Sequence, residues 1–217
     1  HNAMLDPSSA DVTARVLECL GRNGWPASHP VLQRALAFLS CEQTPDGPWY
    51  GRWGVNYIYG TSGVLRALET VRLTGREFCQ RAAEWLRTVQ NSDGGFGESI
   101  ASYYDPARKG QGASTPSQTA WGLIGLLAAG GRDEPAVARS VEHLLERQSA
   151  DGSWQESEFT GTGFPCVFYL KYHLYRNYFP LYALARYRNQ GREAAEYHAY
   201  AIGPQGPGLR VAERASP

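Results

Sequence analysis

The sequence has no excess of either charge: 21 Lys+Arg stand against 21 Asp+Glu in 217 residues, for a net charge of zero. An electrostatically driven nucleic-acid partner needs a basic excess or stripe, so none is expected. Charge is scarce altogether, 19% of residues against roughly 25% in an average globular domain. Long apolar runs are missing as well. The longest nearly apolar stretch, Ala120 to Gly131, has 12 residues, and a bilayer span takes about 20. Residues 1–15 have neither the basic start nor the apolar stretch of a cleavable secretory leader. None of the four cysteines, Cys19, Cys41, Cys79 and Cys166, forms a C-x-x-C pair, which argues against a zinc knuckle or redox motif. Each sits among apolar residues, so buried free thiols are expected. His29, His143, His173 and His198 share no ligand spacing, and no metal is expected. The single methionine, Met4, follows His1-Asn2-Ala3, which reads as a cloning remnant at 1–3. What the chain has in plenty is aromatic: 6 Trp, 13 Tyr and 7 Phe.

The chain also repeats itself. Three segments carry Arg, then an aromatic or His with Leu, then Gln, an Asp-Gly turn and an aromatic. They run Arg34–Phe38–Leu39–Gln43–Asp46–Gly47–Trp49, Arg81–Trp85–Leu86–Gln90–Asp93–Gly94–Phe96 and Arg139–His143–Leu144–Gln148–Asp151–Gly152–Trp154. The Gln-to-Gln spacing is 47 and then 58, and the extra 11 residues fall in the polar stretch Glu98 to Ser114. An amphipathic helix is predicted before each Gln, at about 30–42, 76–89 and 134–147. A more apolar helix follows each turn, at about 61–73, 115–129 and 165–189, and another opens the chain at 10–20. Thr115-Pro116-Ser117-Gln118 reads as a capping box. Gly21 and Gly130-Gly131 read as helix ends. Strand signals are nearly absent. Repeats of this period bury their apolar faces only by stacking. The expected fold is all-α: a partial α/α barrel, a toroid of four inner and three outer helices, over residues 4–189. In each turn the Gln is expected to reach the neighbouring helix terminus, with the Trp ring flat on its amide. Residues 190–217 are expected to form a short helix and a flexible Gly/Pro-rich tail.

These repeats resemble the QW motifs of triterpene cyclases. Two stretches are more specific: Gly51-Arg52-Trp53-Gly54-Val55-Asn56-Tyr57-Ile58-Tyr59-Gly60-Thr61, and Gly161-Thr162-Gly163-Phe164-Pro165 leading to Phe168-Tyr169-Leu170, Tyr172 and Tyr175. Both resemble signatures of squalene–hopene cyclases, as do Asp6-Pro7, Asp11 to Arg15 and Ser114 to Trp121. The resemblance runs from about Asp6 to Tyr187 and is to the C-terminal part of that family. It implies an isomerase that folds squalene or a related polyene into rings through carbocations, with no cofactor. Such a site needs an acid, a dry cavity and aromatic faces.

On the resemblance, Phe164 and Phe168 stabilise cations. Gly163, Tyr169, Leu170, Tyr172, Tyr175 and Trp53 line the same cavity. Tyr59 holds a water near the acid. Asp11 and Arg15 flank the acid, and some family members carry His at position 15. The spacing of Phe164, Phe168, Tyr172, Tyr175 and Phe179 predicts one continuous helical face. The acid itself is missing: the family's Asp-x-Asp-Asp lies upstream of the matching region, and no two of the seven aspartates here are within three positions. The chain is expected to be inactive alone, and to pair with the missing N-terminal half or with copies of itself. The resemblance further implies a cytoplasmic protein at the inner membrane surface. Two other classes compete. One is a non-catalytic domain binding a lipid or partner subunit. The other is an α/α-barrel glycosidase or prenyltransferase, which would need a carboxylate pair or a zinc site. The inner helices offer chiefly Asp11, Glu18 and Glu69.

Overall fold

The computed structural model describes residues 7–202, with side chains described as far as residue 190. The cloning remnant, Asp6 and the tail beyond residue 202 lie outside the described residues.

Seven α-helices are present among the described residues: α1 (Ala10–Arg22), α2 (Pro30–Glu42), α3 (Tyr57–Thr70), α4 (Glu77–Thr88), α5 (Pro116–Ala128), α6 (Pro135–Glu146) and α7 (Tyr175–Ile202). Helices α1, α3, α5 and α7 pack in sequence as an inner layer, and α2, α4 and α6 lie outside them. This is the expected partial α/α barrel. Helix α5 is buried along its whole length. Its flanking position between α3 and α7, with α4 and α6 behind, explains a sequence that is apolar all round. At roughly 25 cal/mol per Å² of apolar surface, burial of residues such as Trp49, Trp121, Phe96 and Leu65 supplies most of the gross stabilisation.

The three turns are built alike. The backbone N–H after each Gln closes the turn onto the carbonyl four residues on: Thr44 to Pro48, Asn91 to Gly95 and Ser149 to Ser153. The Asp-Gly glycines Gly47, Gly94 and Gly152 take φ of 113°, 80° and 83°, which side chains tolerate poorly. The next inner helix then holds the turn aromatic by its backbone: Trp49 N–H donates to Thr61, Phe96 N–H to Thr119 and Trp154 N–H to Asn177. The Trp49 and Trp154 indoles donate to the carbonyls of Leu39 and Leu144 at 2.7 Å. The polar contact of each ring is therefore with the end of its own outer helix, where the sequence predicted flat packing on the Gln amide.

The Gln amides join one repeat to the next. Gln43 donates to its own turn at Gly47 and to the carbonyl of Phe78 in the first turn of α4, both at 2.7 Å. Gln90 does the same with Gly94 and with Ala136 in α6. Each Gln carbonyl oxygen receives the arginine of the following repeat, Arg81 on Gln43 and Arg139 on Gln90. Among the described residues, the Gln148 amide bonds only to its own turn, at Gly152.

Four expectations are corrected. Residues 165–174 are not helical: β1 (Gly161–Phe164) and β2 (Phe168–Leu170) form an antiparallel hairpin, and α7 begins only at Tyr175. Pro165 and Cys166 occupy the centre of a turn closed by Val167 N–H on the Phe164 carbonyl at 3.0 Å, with Cys166 at φ 63°. Pro followed by a positive-φ residue is type II turn geometry and ends any helix there. Gly21 lies inside α1, which stops at Arg22 with Asn23 as its cap. All four cysteines are free, but only Cys79 is buried; Cys19, Cys41 and Cys166 are exposed. Finally, α7 continues past Asn189 without a break, where a separate short helix was expected.

The stitching predicts unequal costs for two like changes. Gln90→Ala removes bonds to two carbonyls and to Arg139 and is expected to cost about 2–3 kcal/mol, at about 1 kcal/mol per bond and more for a charged partner. Gln148→Ala is expected to cost less than about 1 kcal/mol. Urea denaturation of the two variants measures the difference.

Candidate functional site

The N-terminal ends of α1, α3 and α5 each carry a buried carboxylate. Glu98 accepts from the backbone N–H of Asn56 and Ile58 at α3. Glu156 accepts from Ser117 N–H and Oγ at α5. At α1 the acid is Asp11, from the helix itself: it accepts from Val12 N–H, from Ser9 Oγ and, at 2.9 Å, from Trp53 N–H. An anion at a helix N-terminus satisfies orphan donors and meets the positive end of the dipole. Glu98 and Glu156 went unnoticed in the sequence reading. Their signal was there, since each stands eight residues after a repeat Gln, Gln90 and Gln148.

These three ends support an aromatic wall. Residues 53–55 run alongside β1 as a third extended segment: Thr162 N–H donates to the Trp53 carbonyl, Val55 N–H to Thr160, and Gly54 pairs with Gly161. Trp53 is thus locked to the hairpin that carries Phe164, Phe168, Tyr169 and Leu170. The Phe164 and Phe168 rings meet edge to face at 5.5 Å across the hairpin. Gly163 lies directly under Phe168, where any Cβ would strike the ring. Beyond the hairpin, Tyr172 stacks on Tyr175 at 4.6 Å. Tyr175 meets Trp121 at 6.0 Å, and Trp121 meets Tyr59 at 5.0 Å. The Arg15 guanidinium sits 5.8 Å from the Tyr59 ring. One chain of contacts therefore runs Arg15–Tyr59–Trp121–Tyr175–Tyr172, and Trp121 is a link that sequence reasoning did not assign. The predicted single helical face does not exist. Phe164 and Phe168 stand on the hairpin, Tyr172 in the connection, and only Tyr175 and Phe179 on α7.

Trp53, Phe168 and Tyr172 remain 37%, 44% and 39% exposed, and the Arg52 guanidinium lies 5.1 Å from the Trp53 ring centroid. Burial pushes the phenols of Tyr59, Tyr169 and Tyr175 above their usual range. At Tyr59 the Arg15 cation works against that rise. Those three phenols are thus held neutral, and the rings of the wall can attract a cation through their π-faces.

Among the described residues, the other carboxylates of the inner layer are engaged. Glu18 meets Arg15, Arg22 and Arg66, and Arg186 grips both oxygens of Glu69. Among the described residues no three His, Cys, Asp or Glu side chains cluster closely enough to hold a metal. No helix among them is long and apolar enough to cross a membrane.

Inner and outer helices joined by glutamine turns, with a carboxylate-capped aromatic wall at one end, define an α/α barrel of the terpene cyclase type. Solved structures share that fold. An ent-copalyl diphosphate synthase from Streptomyces platensis matches with a TM-score of 0.61 and 22% identity, over 85% of this chain and 34% of its own. A protein from Actinoplanes matches with a TM-score of 0.59 and 20% identity, over 84% and 56%. The family model of the squalene–hopene cyclase C-terminal domain matches residues 1–189, and the chain belongs to that family. It is 49% identical over 192 residues to a squalene–hopene cyclase of Bradyrhizobium diazoefficiens, covering 87% of this chain and 29% of that one. Against the squalene–hopene cyclase of Alicyclobacillus acidocaldarius it is 53% identical over 184 residues, covering 84% and 29%. A dammaradiene synthase of Dryopteris crassirhizoma is 50% identical over 212 residues, covering 87% and 31%. The chain spans under a third of the length of these curated relatives.

Burial raises the Glu98 carboxyl above the ordinary range despite the helix N–H groups that oppose it. A folded-state pKa above the unfolded one means that unfolding releases a proton. Stability therefore falls as pH rises from the usual carboxylate pKa to the raised value, and levels off above it. Glu98→Gln keeps an oxygen for the α3 cap and removes that dependence. The variant is expected to gain on the parent as pH rises above the usual carboxylate pKa, as urea denaturation at several pH values would measure.

Phe168→Ala tests whether the ring is core or wall. With nearly half its surface open, its loss is expected to cost below about 1.5 kcal/mol. Leu144 on α6 is fully buried, and Leu144→Ala is expected to cost about 2–5 kcal/mol. Melting curves of the two variants give the comparison.

Proposed function

We propose that the chain supplies the C-terminal wall of a squalene–hopene cyclase-like active site, in which Phe164, Phe168, Trp53, Tyr172 and Tyr175 stabilise carbocations as a polyene closes into rings. The observation that carries this is the gathering of exposed rings, Trp53 and Phe168 at the hairpin and Tyr172 at the end of a ring-contact chain that runs through Tyr175 and buried Trp121 to Tyr59 and Arg15. In this reading Gly163 leaves room for the Phe168 ring, and Tyr169 and Leu170 complete the wall. Asp11, through Trp53 N–H, and Arg15, against Tyr59, support an acid carried elsewhere. The substrate class is squalene or a related polyene; relatives named for two different products share about half of this sequence.

The seven aspartates hold no Asp-x-Asp-Asp, so the chain supplies no proton donor of that kind. Purified chain incubated with squalene is expected to give no cyclised product by mass spectrometry; turnover above a heat-killed control would sink the claim. A quaternary ammonium has a permanent charge and no proton to give, which makes it a stable stand-in for a carbocation among aromatic faces. Dodecyltrimethylammonium is expected to bind below its micelle concentration, with Trp fluorescence as the readout, and Phe168→Ala is expected to weaken binding about tenfold.

The same lack of a proton donor supports the other reading, a non-catalytic domain that binds a lipid or partner. Adding an upstream half of the family in trans separates them: restored cyclisation supports the enzyme part, and retained lipid binding without it supports the other. The open flanks at Val12 and Val16 on α1 and at Leu181 on α7 favour association, either with such a half or between copies. Placement at the cytoplasmic face of a membrane belongs to the same proposal.

A further inference from the structure

The extra segment Glu98 to Ser114 in the second repeat is not a solvent loop. It folds into two short 3-10 turns, Ile100–Tyr103 and Pro106–Arg108, and it touches three separate parts of the site. Glu98 caps α3, and Ser102 Oγ accepts from the Asn56 amide at 3.1 Å. Tyr103 Oη lies 2.9 Å from the Gly51 carbonyl and 2.8 Å from the Gly54 carbonyl, on either side of Trp53. The Tyr103 ring packs on Tyr50 at 5.6 Å and on Tyr169 of the hairpin at 5.7 Å. Its carbonyl accepts from Cys166 Sγ at 3.5 Å in the hairpin turn. At the far end, Lys109 pairs with Asp46 of the first repeat turn and lies 5.2 Å from the Tyr57 ring.

We propose that this segment is a brace on the Trp53 loop where it pairs with the Phe164–Phe168 hairpin, with Tyr103 as the positioning residue that fixes the loop's conformation and so the orientation of the Trp53 ring. The proposal rests on the cation-binding reading above. The loop bounded by Gly51 and Gly54 has no side chain at either end to anchor it. Its two end carbonyls converge on one hydroxyl, which closes the loop around Trp53. Burial raises the pKa of that hydroxyl far above its usual range, so it remains a donor at any working pH. The same residue bears on β2 through its ring and on the hairpin turn through its carbonyl.

The test uses the whole chain and dodecyltrimethylammonium as the probe. Tyr103→Phe keeps the ring against Tyr50 and Tyr169 and removes only the hydroxyl. Binding is expected to weaken about tenfold, the scale of one well-placed hydrogen bond. Tyr57→Phe removes a neighbouring hydroxyl without touching either carbonyl and is expected to bind as the parent does. Lys109→Met, which frees the other foot of the brace and leaves Tyr103 intact, is expected to weaken binding two- to threefold and supports the proposal if Tyr103→Phe does not fold. Parent-like affinity in Tyr103→Phe, or in Lys109→Met where that stands in, overturns the brace while Phe168→Ala still loses binding. Parent-like affinity in Phe168→Ala as well overturns the aromatic site itself, and the brace with it.

Discussion

A glutamine amide at the end of each outer helix carries the architecture. It has one donor group and one acceptor, and both are used across the boundary between repeats: donation into the next outer helix, acceptance from that helix's arginine. Each donation reaches a carbonyl in the first turn of that helix and a carbonyl of the glutamine's own turn. The inner helices then follow, because the turn after each Gln delivers its aromatic backbone N–H to a Thr or Asn on the next inner helix. One side chain thus sets the relative placement of helices that are far apart in sequence. The third repeat's Gln148 has, among the described residues, a bond to its own turn alone.

The inner layer presents helix N-termini at one end, and that polarity governs the chemistry available there. Converging N–H groups call for anions, and Asp11, Glu98 and Glu156 answer that call while buried. Their charge is spent on the scaffold. Glu18 and Glu69 are spent in the same way on arginines. What remains is a set of rings, of which Trp53, Phe168 and Tyr172 stay partly exposed. Ring faces of that kind attract positive charge. The arginine and tyrosine pair at positions 15 and 59 joins this wall to α1.

The sequence reading placed six of the seven helices within a few residues and missed the beginning of the last. The reason lies in the number four. Residues four apart meet on one face of a helix, and they also meet across a tight hairpin turn. Phe164 and Phe168 satisfy both geometries, and in the structure they are cross-strand partners. Pro165 followed by a positive-φ residue decides for the turn, and that reading needed the proline to be weighed above the periodicity. Cysteine burial failed for a related reason. Apolar neighbours in sequence do not reveal which helix face the rest of the chain covers: Cys19 and Cys41 lie on uncovered helix faces, and Cys166 lies in the exposed hairpin turn.

By itself the sequence determined the repeat, the turn chemistry, the alternation of inner and outer helices and the richness in aromatic residues. Each is a local property: periodicity, Asp-Gly turns and a glutamine at a fixed offset act within about 20 residues. Only the tertiary structure decided which rings share a face. Tyr59, Trp121 and Tyr175 come from three helices, and Trp53 joins Phe164 and Phe168 through backbone pairing about 110 residues away. The buried glutamates and Tyr103 belong to the same class. Their partners are helix ends and carbonyls that have no sequence signature of their own, so their roles exist only once the barrel has brought those groups together.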